Sequence, residues 1–163
     1  VVLSAQQVVT TFGDPARFID PAGHVSGTWE LAILRPFPLP APLPFAGSTA
    51  LVRIVRCHRL ILPFMRQAFE EIYVEGAWSE LGDFGGCYCW RTQRQAPTAR
   101  SRHSWGIAVD VNVAHNGFLQ PPNMAPAIVS AFKRAGFAWG GEFVHRPDPM
   151  HFEFADLGRL VQR

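Results

Sequence analysis

Asp110 is the residue that most limits how this chain can fold. It stands in the run GIAVDVNV, with Ile107 and Ala108 before it and Val109 and Val111 on either side. Period-two alternation across a strand from Gly106 to Val113 puts Ala108, Asp110 and Asn112 on one face, with Ile107, Val109 and Val111 on the other. A carboxylate in such a strand loses hydration and must find a cation or donors close by. The fold therefore has to bring positive charge to this strand.

The chain of 163 residues, 48% hydrophobic and 17% charged, is long enough for one domain with a full core and no disulfide staples. No apolar run approaches the roughly 18 residues of a membrane span. A chain beginning at Val1 is expected to be a processed or truncated form. The net charge of +2 is concentrated in Arg91, Arg94, Arg100 and Arg102, a stretch without acids, which suits either an anionic partner or a solvated loop. Cys57, Cys87 and Cys89 cannot all pair, and the C-x-C spacing of the last two suits neither a usual zinc pattern nor a relaxed disulfide.

Along the chain, Ser4 caps a short helix that ends at Phe12 before Gly13, and Thr28–Leu34 reads as a strand. RPFPLPAPLPF holds five prolines between Pro36 and Pro44, which predicts a polyproline-like connector lying across the surface rather than a helix or central strand. LVRIVR from Leu51 alternates as a strand. Arg59–Glu75 has helical periodicity, Pro63 falls in its first turn, and Leu62, Met65, Phe69 and Ile72 form its buried stripe. CYCWR reads as a strand with Cys87, Cys89 and Arg91 on one face. A helix over Pro126–Ala135 closes at Gly136, and a last strand, Met150–Phe154, sets Phe152 and Phe154 opposite His151 and Glu153. Three polar strand faces would then meet in one cleft.

His103, Asp110, Asp148 and His151 have the residue types of a hydrolytic metal centre. Two imidazoles and one carboxylate commonly hold catalytic zinc and leave a position for water. Asp148, three residues before His151, can stand beside such a centre as a base without being a ligand. Arg91 is a candidate donor to the oxyanion of a tetrahedral intermediate, with Arg94 close by as an alternative. His115, Glu142 and His145 are rival ligands of the right type, and Cys57, Cys87, Cys89 and His58 form a chemically allowed structural zinc set with poor spacing.

S-R-H-S-W-G-I-A-V-D-V-N, followed by W-G-G-E-F and P-D-P-M-H-F-E, closely resembles the zinc D-alanyl-D-alanine carboxypeptidase and L-alanyl-D-glutamate endopeptidase family, which includes vancomycin-resistance D,D-carboxypeptidases and phage endolysins. The resemblance spans roughly Gly85 to Phe154. It implies an α+β fold: a small single domain with a central antiparallel sheet flanked by helices, like the hedgehog domain. It also implies that His103, Asp110 and His151 bind zinc, that Asp148 is the general base, and that Arg91 is the family's arginine. Asn112 and Glu153 are read as groups that orient ligands and backbone, and Ser101 as a substrate contact or a loop hydrogen bond. The organisation expected is an N-terminal extension, 1–50, with its proline-rich connector packed on a zinc peptidase domain, 51–163.

The activity implied is hydrolysis of peptidoglycan stem peptides by a monomer, outside the cytoplasm or as a phage lysin, with no nucleic-acid partner. The competing reading is a non-catalytic, zinc-stabilised binding module of the same fold, in which a base such as Asp148 would have no use.

Overall fold

The computed structural model describes residues 2–161. Helix α1, Ala5–Phe12, starts in a reciprocal cap: Gln7 N–H donates to Ser4 Oγ at 3.2 Å, and Ser4 N–H donates to Gln7 Oε1 at 2.9 Å. It stops at Gly13, whose φ of 98° lies in the region that favours glycine. Thr28–Leu34 is not a strand. Gly27–Ile33 forms helix α2, because Trp29 and Ile33, four residues apart, bury one helical face while Leu31 points into solvent.

The proline-rich run is not a polyproline connector either. Leu34–Pro44 is strand β1, paired antiparallel with β2, Leu51–His58, in a two-stranded ribbon whose register shifts between Pro38 and Leu43. Prolines on alternate residues leave the residues between them free to donate, and a two-stranded ribbon has an unpaired edge where a missing N–H costs nothing. The run also enters the core, since Leu34, Phe37, Leu39 and Leu43 are buried. Helix α3, Leu62–Val74, has Pro63 in its first turn and buries Met65, Phe69 and Ile72 as expected, with Phe64 and Ala68 added and Leu62 only partly covered.

The strand expected at CYCWR is absent. Strand β3 is Phe84–Gly86, and the chain then turns irregular, with Cys87 buried and Cys89 exposed. The backbone of this segment bonds to the turn at 101–104 instead of a ladder: Cys89 N–H donates to His103 O at 3.1 Å, and Arg91 N–H to Ser104 Oγ at 3.0 Å. A short hairpin follows, β4 at Thr92–Gln93 and β5 at Ala96–Arg100.

The central sheet is completed by β6, Ala108–Val111, and, after helix α4, Pro126–Arg134, by β7, Phe137–Trp139, and β8, His151–Phe154. Its order is β3-β6-β8-β7, every pair antiparallel. β6 is shorter than the sequence suggested, because Asn112 leaves the strand with a φ of 51°. Phe152 stacks on Phe132 of α4 at 4.3 Å and Phe154 on Phe64 of α3 at 5.3 Å, so the helices cover one face of the sheet. Alternation sends His151 and Glu153 to the other face. The chain is thus α+β, and residues on both sides of position 50 share one core.

His58 belongs to that core. Its Nδ1 accepts the Leu60 N–H at 3.2 Å and its Nε2 lies 3.2 Å from Phe12 O, so one neutral tautomer satisfies both atoms. Burial lowers its pKa to about 4, against the Phe12 hydrogen bond that favours the charged form. The unfolded chain takes up a proton at His58 from about pH 6.5 downward, which the folded chain refuses until about pH 4. Stability is therefore expected to fall by up to roughly 3 kcal/mol across that window on this account. Urea titrations at a series of pH values should show this component in the wild type and not in His58→Gln.

Candidate metal centre

His103 is delivered by a 3₁₀ turn, Arg102–Trp105. Ser101 Oγ accepts the His103 N–H at 3.4 Å at the start of the turn, and Gly106 ends it with a φ of 64°. A Cβ on Gly106 would come within 2.8 Å of the Leu34 side chain and 3.1 Å of His58 N, so backbone conformation and close approach both call for glycine. Asp110 and His151 face each other as register partners across β6 and β8, so the sheet itself sets their separation. The third contributor to the cleft is therefore this turn and not a third polar strand face.

Three atoms converge. His103 Nε2 is 3.2 Å from Asp110 Oδ1 and 3.2 Å from His151 Nδ1, and His151 Nδ1 is 2.9 Å from Asp110 Oδ1. The outer nitrogens decide which protons are present. His103 Nδ1 lies 2.7 Å from the Cys87 carbonyl, which can only accept, so Nδ1 carries the hydrogen and Nε2 keeps its lone pair inward. His151 Nε2 lies 3.2 Å from Glu153 Oε2, which likewise turns the Nδ1 lone pair inward. Two imidazole lone pairs and a carboxylate oxygen at this range repel unless a cation sits among them. Ligands held about 2.0–2.2 Å from a tetrahedral zinc stand roughly 3.3 Å apart, so the donor set fits such an ion. Among the described residues, these three form the one His/Cys/Asp/Glu group able to hold a metal.

The electrostatics agree. Burial opposes charge on Asp110, yet the two imidazoles outweigh it and hold the carboxyl well below the usual range. Burial likewise opposes a charged His151, but hydrogen bonds to Asp110 and Glu153 and their charges push its pKa up to about 10. The carboxylates demand positive charge at this point, and a divalent ion would supply it with both rings neutral.

Asp148 is held by backbone. Its N–H donates to Gly140 O at 2.9 Å, and its own carbonyl accepts the His151 N–H at 2.9 Å. Its Oδ1 is buried with no hydrogen-bond partner, and burial raises its pKa. W-G-G-E-F acquires a reason here, because a Cβ on Gly140 would sit 2.3 Å from Asp148 O. Asp148 opens on a cleft of about 260 Å³ together with His151, Glu153, Arg91, Arg94 and Arg146.

The other sequence candidates separate. Arg91 approaches the cluster, with Nη2 4.0 Å from Asp110 Oδ2. Arg94 is exposed at the cleft. Ser101 lines the cleft while capping the turn. Glu153 bonds His151 and faces Arg102 Nε at 3.7 Å. Asn112 lies apart from the three ligand atoms and donates to Glu80 O at 3.3 Å, bracing the loop before β3. Glu142 pairs with Lys133, His115 and His145 are exposed, and none of them joins the cluster. The three cysteines are free, and burial pushes the Cys57 thiol up to about 12, the opposite of a thiolate ligand. Arg102, Arg146, Gln93 and Phe118, which also border the cleft, were not singled out for the site in the sequence; the one signal was the position of Arg102 between Ser101 and His103.

A buried two-imidazole, one-carboxylate cluster stands beside a second carboxylate on an antiparallel α+β domain, a donor set able to hold a metal ion. Residues 94–154 match the family model described as D-alanyl-D-alanine carboxypeptidase. The match takes in His103, Asp110, Asp148 and His151, whereas Arg91 lies outside it. No curated protein matches the chain.

Two measurements check the centre. Elemental analysis after zinc loading and desalting should find about one ion per chain in the wild type and in Cys89→Ala, and none in His103→Ala. Gly140→Ala should retain metal but lose at least about tenfold in hydrolysis, because the Asp148 carbonyl must move away from the new Cβ; unaltered turnover would contradict that role for the glycine.

Proposed function

We propose that this chain is a zinc-dependent peptidase acting on peptidoglycan stem peptides, as a D,D-carboxypeptidase or an L-alanyl-D-glutamate endopeptidase. One observation carries the reading: Asp148, whose Oδ1 is buried without a hydrogen-bond partner, lines the same cleft as His151, a member of the His103, Asp110 and His151 cluster. A purely structural metal site has no use for a free carboxylate beside it. The match of residues 94–154 to a D-alanyl-D-alanine carboxypeptidase model supports the same class of substrate.

Zinc held by His103 Nε2, Asp110 and His151 Nδ1 would acidify a water and polarise the scissile carbonyl. The Asp148 carboxylate accepts the proton of the attacking water and returns it to the leaving amine nitrogen. The Arg91 guanidinium donates to the carbonyl oxygen as negative charge develops, a role that suits a side chain always protonated. Cys87 O and Glu153 hold the two imidazoles in the tautomers that keep their lone pairs inward. Ser101 keeps the His103 turn in place at the edge of the cleft. On this reading the protein acts outside the cytoplasm, in the periplasm or cell wall, or as a phage lysin, and does so as a monomer. No helix of the described residues is long and apolar enough to cross a membrane.

Asp148→Asn is expected to keep the fold and the zinc while hydrolysis of defined stem peptides falls about 10²–10⁴-fold. Mass spectrometry of the products identifies the bond cut, and wild-type rates in the variant would overturn the assignment of the base.

A further inference from the structure

The cleft beside the cluster is lined by four arginines, Arg91, Arg94, Arg102 and Arg146, against two carboxylates, Asp148 and Glu153. Arg102 faces Glu153, and Arg91 faces Asp110. Arg94 and Arg146 are in no ion pair among the described residues. Their guanidinium carbons lie 5.7 and 5.8 Å from the centroid of one ring, Phe118, which positions both by cation–π attraction. Arg146 Nη1 reaches Gln93 Oε1 only at 3.5 Å, and its Nε is buried with no hydrogen-bond partner. Three segments distant in sequence, the β4 strand, the loop at Phe118 and the loop before β8, therefore meet to hold two guanidinium groups that no carboxylate contacts directly, one of them partly dehydrated.

Leaving such a donor unpaired is costly, and an arriving anion removes the cost. The fork of a guanidinium matches a carboxylate best, since it offers two parallel N–H donors. Because the same cleft is lined by Asp148 and His151, the anion is part of the molecule being cut. Resting on the peptidase reading, we propose that Arg146, with Arg94 beside it, grips a carboxylate of the peptide substrate and restricts hydrolysis to bonds near a free carboxylate. Two sources offer that chemistry: the terminal carboxylate of the released residue, or the free carboxylate of a γ-linked glutamate within the stem.

The test uses the zinc-loaded full chain carrying Asp148→Asn to suppress turnover, and calorimetry with stem peptides in which either carboxylate is replaced by an amide. The acid form should bind at least about tenfold more tightly than one of the two amides, and the amide that weakens binding identifies the source. Adding Arg146→Gln should lower affinity for the acid form about ten- to a hundredfold, leave the weakened amide unchanged, and so erase the preference; Arg94→Gln should reduce it by a smaller factor. In the protein with Asp148 intact, Arg146→Gln should raise KM for the acid peptide more than it lowers kcat. Equal affinity for acid and amide forms, or equal losses on both in the Arg146 variant, would overturn the clamp. Absence of turnover with Asp148 intact would remove the peptidase reading alone, since the acid-to-amide ratio is read by binding.

Discussion

Two imidazole nitrogens and a carboxylate oxygen converge on one point, and the structure around them is built to keep them there. Each ring has its outer N–H committed, His103 to the Cys87 carbonyl and His151 to Glu153. A neutral imidazole has only one hydrogen to give, so these outer bonds determine what the inner nitrogens present. Sheet register supplies the Asp110 to His151 distance, and the turn from Ser101 to Gly106 supplies His103. A flexible element in any of the three places would let the mutual repulsion push the atoms apart.

The turn that bears His103 is anchored by residues well outside the segment of family likeness. Trp29 Nε1 donates to Ser104 O at 3.3 Å, Trp105 Nε1 to Gly13 O at 2.9 Å, His58 N–H to Gly106 O at 2.9 Å, and Arg102 to Leu3 O. The first fifty residues are therefore structural partners of the His103, Asp110 and His151 cluster. Trp29 and Leu34, brought by α2 and β1, form part of the bed on which the His103 turn lies. The matched segment, 94–154, thus depends for its shape on the chain around it.

What the sequence disclosed follows the same physics. Asp110 was legible because a charge in an apolar strand cannot be ignored, and His151 and Glu153 because period two separates them from Phe152 and Phe154. α1, α3 and α4 were legible from caps, glycines and apolar spacing. Thr28–Leu34 misled because strand-forming residue types occupy a short segment whose burial repeats every four residues. The proline run misled because the cost of a missing N–H depends on which edge is paired, and local sequence does not contain that. CYCWR misled because its backbone is satisfied by Ser104 and His103, which come later in the chain. Arg146 had no signature of its own: its surroundings, Gln93 and Phe118, are assembled only by the fold.

On the proposed reading, Asp110 and Asp148 show how their surroundings divide labour between like groups. Asp110 and Asp148 are both shielded from water, and burial opposes ionisation of each. Asp110 has two imidazoles within hydrogen-bond range and stays ionised, so it suits a permanent ligand. Asp148 has no hydrogen-bond partner for Oδ1, its pKa is raised, and the negative charge of Asp110 adds to the effect while His151 and Arg94 oppose it. A carboxylate poised in this way gives up and takes back a proton more readily than one locked between cations. Exchanging the two environments would exchange the roles, because the difference lies in the groups around each side chain and not in the side chains themselves.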